Sequence, residues 1–265
     1  MNSSGKTTFQ LHDLKTGYRL QRRDIVLSAN LEATLTTGEL TCLLGPNGAG
    51  KSTLLRTMAR FQPALDGEVQ LFGQPLESYT AEKLARRVGV VLTDKLPSSS
   101  LRAEELVSMG RMPYTGFWGT LTADDRQAVD EALDMVGMTA FRRRRLATLS
   151  DGEQQKLMIA KALAQQTPVI LLDEPVAFLD FPSKVEILTL LRRLAREQGK
   201  AILLSIHDLE LALQTADRLW LLDSEGHLSQ GTPKELAQNG SLDFFFKGHG
   251  LEFDKHTMQY TLTNS

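Results

Sequence analysis

Leu40-Thr41-Cys42-Leu43-Leu44-Gly45-Pro46-Asn47-Gly48-Ala49-Gly50-Lys51-Ser52 joins a short apolar run to a glycine-rich turn. Leu40 to Leu44 read as a buried parallel strand. Gly45 to Ser52 fit the pattern Gly-x-x-x-x-Gly-Lys-[Ser/Thr], with a helix expected to open at its end. Strand, curled loop and helix in that order make a cradle for phosphates. Glycines let the backbone bend until several N–H groups point at one anion, and the helix N-terminus adds positive potential. Lys51 can reach phosphate oxygens as a point charge, and the Ser52 hydroxyl can ligate Mg²⁺. Gly5-Lys6-Thr7 has no strand or glycine loop before it and reads as a disordered tail.

Further along, Val169-Ile170-Leu171-Leu172 runs straight into Asp173 and Glu174. In a parallel sheet, ligands bind beyond the carboxyl ends of the strands. Asp173 is therefore expected to face the phosphate loop and hold Mg²⁺, and Glu174 to polarise an attacking water. The next apolar run, Ala201 to Ile206, ends at His207, which the same rule points into the same crevice. His12, His227, His249 and His256 have no such setting and read as surface or structural. Ser150 and Glu153 form a capping box opening a long helix, and a helix N-terminus with a free serine is a second anion site.

Residues 9–44 look strand-rich, as does Gly67 to Gly73, and from 150 onward helices alternate with apolar strands, the pattern of βαβ units. Between 101 and 148 strand runs vanish. There Val129, Leu133 and Val136 share a helix face, with Thr122 and Asp125 as a cap-like pair upstream. Thr232-Pro233-Lys234-Glu235 is a further capping box. A single domain over 1–265 is expected: a core at about 9–92 and 156–240, a helical part at about 93–155, and a C-terminal extension at 241–265.

Composition narrows the function. Thirty Lys+Arg against 32 Asp+Glu give a formal charge of −2, which argues against a general polyanion binder. Arg142 to Arg145, taken as adjacent residues of a helix, point all round and read as a solvated helix end. No nucleic-acid partner is expected. The one cysteine, Cys42, reads as a buried apolar thiol, and a reducing compartment follows. Met1 to Gln10 lack a signal-peptide core, and no apolar run is long enough to span a bilayer.

Taken together, the loop at 45–52, Leu149-Ser150-Asp151-Gly152-Glu153, the strand and carboxylates at 169–174, Ala177-Phe178-Leu179-Asp180 and His207 resemble the ATP-binding cassette family in order and spacing, over about residues 9–240. The resemblance implies an α/β fold: a P-loop NTPase (RecA-like) core with an N-terminal antiparallel β subdomain and an inserted α-helical subdomain. It implies hydrolysis of ATP with Mg²⁺ by a head-to-tail homodimer. ATP would contact Gly45, Pro46, Asn47, Gly48, Ala49, Gly50, Lys51, Ser52 and Thr53, with Tyr18 stacked on adenine. Lys51 and His207 would stabilise the γ phosphate beside Glu174, and Ser52 and Asp173 would hold Mg²⁺. Ser150, Asp151, Gly152 and Glu153 would meet the partner's ATP, and Asp180 would couple the two sites.

The chain departs from the family's pattern twice. Thr93, followed by Asp94, stands where the resemblance implies a metal-reaching Gln, so a water is expected to stand in for the amide at the metal. Asp151 stands where Gly is usual; it either slows closure around ATP or points away and is neutral.

Glu104 to Tyr114, with its Gly110-Arg111-Met112-Pro113 segment, is similar to importers of the iron-siderophore, haem and cobalamin type. Gln165, Pro168, His207 to Ala212 and Gly231 to Pro233 look like the same subgroup. In that group a permease coupling helix docks at about 93–118, where Met112, Phe117 and Trp118 are either contacts or core. The partners so implied are integral membrane permease subunits and a solute-binding protein, with the chain peripheral on the cytoplasmic side of the inner or plasma membrane. The cargo stays open between an iron complex and cobalamin. The competing readings are a soluble ATP-dependent switch in repair or regulation, and an ATP-binding scaffold with negligible turnover.

Overall fold

A computed structural model describes residues 5–21, 23–92, 100–116, 119–243, 251–254 and 259–262. The chain opens with two long strands, β1 (Thr7–Arg19) and β2 (Asp24–Thr36), paired antiparallel. Phe9, Leu11 and Leu14 on the first and Leu31, Ala33 and Leu35 on the second are buried. β3 (Leu40–Leu44) follows, with all five residues buried, as a strand covered on both faces requires. Beyond the glycine loop lie α1 (Lys51–Met58), β4 (Asp66–Leu71), β5 (Gln74–Pro75), α2 (Ala81–Ala85) and β6 (Val88–Val91).

Three helices come next: α3 (Ala103–Ser108), α4 (Ala123–Met135) and α5 (Asp151–Ala164). The rest alternates: β7 (Val169–Leu172), α6 (Phe181–Gln198), β8 (Ala201–Ser205), α7 (Leu209–Thr215), β9 (Arg218–Leu222), β10 (Leu228–Gly231) and α8 (Pro233–Gln238). A last hairpin joins β11 (Leu251–Asp254) to β12 (Gln259–Leu262).

The strands form two main sheets. One is antiparallel, in the order β2-β1-β4-β5. The other runs β10-β9-β3-β8-β7-β6, with every neighbour parallel except the edge strand β10. Alternation along the parallel strands sends side chains into two separate cores. Leu40, Cys42, Leu44, Ile170, Leu172, Ile202 and Leu204 join the core that holds α3 to α7. Leu43, Val169, Leu171, Leu203 and Trp220 join the core under α1 and the antiparallel sheet. The α/β fold is thus a P-loop arrangement with an antiparallel β portion and a helical insertion. Because β3, β7 and β8 are parallel, the loop after β3, the carboxylates after β7 and the histidine after β8 emerge at one edge.

The three capping boxes expected at Thr122, Ser150 and Thr232 are all formed. Val129, Leu133 and Val136 are buried together. Two expectations fail. Gly5-Lys6-Thr7 is no tail: Thr7 begins β1, and the Lys6 carbonyl accepts the Thr37 N–H at 2.9 Å. A backbone ladder outweighs the polar composition of those residues. Arg142 to Arg145 are not a helix. They lie between two short 3₁₀ turns at 139–141 and 146–148, and Arg145 bridges to Arg102 in a single antiparallel pair. Arg142 is ion-paired with Glu104 and Asp130, both at 2.6 Å, while Arg143 to Arg145 are exposed. Among the described residues, no helix is long and apolar enough to cross a membrane.

Candidate active site

The loop after β3 is shaped by its glycines. Gly50 has φ +99°, and a Cβ there would sit 3.3 Å from both Leu27 Cβ and Ser28 Oγ. It is also the N-cap of α1, and no side chain caps that helix. The first-turn N–H groups of α1 therefore have no side-chain partner of the usual kind. Lys51 is 6% exposed, and its Nζ donates to the Gly45 carbonyl at 2.8 Å and the Pro46 carbonyl at 3.0 Å. Burial pushes its pKa down, and the nearby charges of Glu174 and Asp173 oppose that shift. A cleft of about 280 Å³ opens over this loop. It is lined by Asn47, Gly48 and Gly50 to Thr53, flanked by Tyr18 and Leu27, and closed by Glu174 and His207. Tyr18 is half exposed, with its hydroxyl 3.2 Å from Thr53 Oγ1. Gly45, Pro46 and Ala49 lie behind the lining, the first two holding Lys51 through their carbonyls.

The acidic end of β7 is fixed from the neighbouring strand. Asp173 is 2% exposed, and its N–H donates to the Val91 carbonyl at 2.8 Å. Ser205, at the end of β8 and fully buried, donates its hydroxyl to Asp173 Oδ1 at 2.7 Å. The same hydroxyl oxygen accepts the Glu174 N–H at 2.8 Å. Glu174 has φ +49°, a left-handed conformation that costs a side-chain-bearing residue about 1–2 kcal/mol. Strain of this kind persists where surrounding contacts over-determine the backbone. Glu174 Oε1 then meets His207 Nε2 at 2.6 Å, so each side chain fixes the other's direction.

Ser150, Asp151, Gly152 and Glu153 lie elsewhere. Ser150 caps α5: its N–H donates to Glu153 Oε2 at 2.7 Å, and its hydroxyl accepts the Glu153 N–H at 3.3 Å. Its hydroxyl also donates to Glu153 Oε2 at 3.0 Å, so the serine expected to be free is held within its own box. Gly152 packs tightly, for a Cβ there would sit 3.3 Å from the Phe178 carbonyl oxygen. Asp180 caps α6 by accepting the Ser183 N–H at 3.2 Å, and hydrogen bonds from Ser183 hold its carboxyl below the usual range. These residues border a second cleft of about 510 Å³ whose lining shares no residue with the first. Thr93 lies outside the described residues, as do Asp94, Phe117, Trp118, His249 and His256.

Sequence reasoning missed two elements. Ser205 was read only as part of an apolar strand; a polar residue at a strand's carboxyl end, two before His207, was the available signal. Arg111, taken as part of a docking surface, is buried. It donates to Asp125 Oδ1 at 2.8 Å and to the Ala164 carbonyl at 2.8 Å, and stacks 4.1 Å from the Tyr114 ring centre. Met112 beside it is 67% exposed, so it is not a core residue.

The donor set fits a polyphosphate and a hard cation. The glycine cradle faces an uncapped helix start and a buried ammonium. Among the described residues no cluster of three or more His, Cys, Asp and Glu could hold a metal. Mg²⁺ is usually held by one or two protein oxygens and completed by phosphates and water, and the Ser52 hydroxyl and Asp173 carboxylate are oxygens of that kind. The profile of the ABC transporter family matches residues 28–177, more than half of the chain. This chain belongs to that family. The cassette is 38% identical over 213 residues to an iron(3+)-hydroxamate import ATP-binding protein of Bacillus subtilis, covering 80% of this chain and 79% of the relative. It is 39% identical over 212 residues to a hemin import ATP-binding protein of Streptomyces coelicolor, covering 80% and 75%. The dimeric structure of a bacterial ABC transporter cassette superposes with a TM-score of 0.75 at 26% identity, covering 85% of this cassette and 98% of that chain.

Proposed function

We propose that this cassette hydrolyses ATP as the motor of an importer for an iron complex, siderophore or haem, or for cobalamin. The observation that carries the reading is the meeting of Glu174, His207 and Lys51 in one cleft over the phosphate loop. Lys51 leaves the Gly45 and Pro46 carbonyls to take phosphate charge, and Ser52 and the loop N–H groups bind beside it. Ser52 and Asp173 would hold Mg²⁺, with a water in place of the family's Gln amide where this chain has the shorter Thr93; when bound, the metal would supply charge neutralisation on the phosphates. Glu174 accepts a proton from the attacking water, and His207 holds that carboxylate in line. Tyr18, half exposed at the cleft's edge, stacks on adenine.

Ser150 to Glu153 line a cleft separate from that of the phosphate loop, and on this reading they meet the nucleotide of a second copy in a head-to-tail homodimer with Asp180 at the joint. Permease subunits, with a solute-binding protein in the full system, complete the proposed assembly, the cassette lying peripherally on the cytoplasmic face of the membrane. The proposed division is one domain, its core at about 9–92 and 156–240, the helical part at about 93–155 and the extension at 241–265. The import names of the two relatives support the cargo class. Affinity isolation of tagged Glu174→Gln from native membranes with ATP tests the reading. Co-purification of a polytopic membrane protein is expected; soluble partners alone would move the function to a soluble switch.

A further inference from the structure

We propose that Ser205 is the positioning residue for both reacting sides of the site, setting the Asp173 carboxylate toward the metal and the Glu174 backbone toward the water. The inference rests on the ATPase reading above and deepens it. A hydroxyl has one proton and two acceptor lone pairs. Ser205 commits the proton to Asp173 Oδ1 at 2.7 Å and a lone pair to the Glu174 N–H at 2.8 Å. Donation to a carboxylate makes the same oxygen a better acceptor, so the two bonds reinforce each other.

The placement is a matter of register. Leu172 pairs with Leu204, so the residues that follow, Asp173 and Ser205, emerge side by side from adjacent parallel strands. Neither is open to solvent: Ser205 is fully buried and Asp173 is 2% exposed, so water does not compete for the bond. The bond to Glu174 is made at the residue whose φ is +49°. Without it, the left-handed turn that aims Glu174 at His207 loses a hydrogen bond that holds it against strain. One buried hydroxyl therefore ties the Asp173 carboxylate to the Glu174 backbone.

The test compares Ser205→Ala, Ser205→Cys and Ser205→Thr with the unmodified protein. Cysteine keeps the volume but is a weak donor, whereas threonine keeps the hydroxyl. ATP affinity is measured by equilibrium binding in excess Mg²⁺ and in EDTA, alongside steady-state phosphate release against Mg²⁺ concentration. Loss of a group that orients a metal ligand typically costs about 10–100-fold in metal affinity or activity. The alanine and cysteine variants are expected to need about 10-fold more Mg²⁺ for half-maximal hydrolysis. They should also lose most of the gain in ATP affinity that Mg²⁺ confers, while keeping their affinity in EDTA. Threonine should restore both.

An unchanged Mg²⁺ requirement in either variant would overturn the proposal, as would an equal loss of affinity with and without metal. If alanine does not fold, cysteine decides. Failure of the underlying ATPase reading looks different: the unmodified protein would then release no phosphate, or would bind ATP no better than Lys51→Ala.

Discussion

The cleft over the phosphate loop and the cleft at the start of α5 are built by opposite means. The first is preorganised inside one chain. Lys51, Asp173 and Ser205 are buried, each held by named hydrogen bonds, and the backbone at Glu174 sits in a strained conformation that those bonds maintain. The second is an open surface. Ser150, Asp151, Phe178 and Asp180 are exposed, and the polar groups are satisfied locally by helix caps. A preorganised cleft can bind phosphates alone. A surface satisfied by its own caps gains nothing until another molecule covers it, and the 45%-exposed Phe178 gives it apolar area to bury. On the proposed reading the first cleft provides the chemistry, and the second provides its dependence on a second copy.

Glu174→Gln tests the chemical side most severely. Steady-state phosphate release should fall about 100- to 10 000-fold, the range expected for loss of a general base, while ATP still binds. Unchanged turnover would remove Glu174 from the reaction. The division of labour itself is tested by mixing Lys51→Ala with Ser150→Arg. Each alone should be inactive, and co-assembled they should recover hydrolysis that neither shows, because one composite site is then intact. No recovery under conditions where mixed dimers form would break the contrast.

Away from both clefts, the helical part carries a buried ion pair of Arg111 and Asp125, whose side chains are 8% and 5% exposed. Asp125→Ala leaves Arg111 buried without its carboxylate, and a loss of about 3 kcal/mol is expected in denaturant unfolding. Hydrogen bonds from the Thr122 N–H and hydroxyl, then Arg111, hold the Asp125 carboxyl down to about 2, against an ordinary 3.8. A depressed carboxylate stabilises the fold above its ordinary value and loses that effect as pH falls through the folded one. The gap between Asp125→Ala and the unmodified protein should therefore narrow as pH falls from 3.8 to about 2. A gap independent of pH would show that packing, not charge, is what the variant removes.

The mildest change is expected at Asp151, exposed in the first turn of α5. Asp151→Gly takes a negative charge from the cleft proposed to meet a partner's phosphates. ATP-driven dimerisation should tighten about two- to fivefold at low salt and return toward the parent at high salt. No change at either salt would favour the reading in which this carboxylate points away.

What was legible from residues alone follows from how local the signal is. The phosphate loop, its flanking strand and the first two residues of the following helix lie within thirteen consecutive residues, Leu40 to Ser52, so pattern and context are read together. The caps at Thr122, Ser150 and Thr232 span four residues each and were legible for the same reason. The Ser205–Asp173 bond joins residues 32 positions apart and depends on strand register. Arg111 reaches Ala164, 53 positions away, so its burial could not be seen from its polar neighbours. The place of Lys6 at the sheet is hidden in the local sequence because its partner Thr37 lies across a hairpin. Local chemistry was therefore readable, whereas contacts made by pairing distant strands were not.

Cys42 is the only sulfhydryl in the chain, and burial inside β3 pushes it up to about 12. At neutral pH almost none of it is thiolate, the form that reacts. The folded cassette is thus a silent background for thiol labelling. A single cysteine introduced at Asp151 or Phe178 would carry one dye or spin label per molecule without removing any native residue first. Approach and separation of two copies could then be followed as a distance in real time.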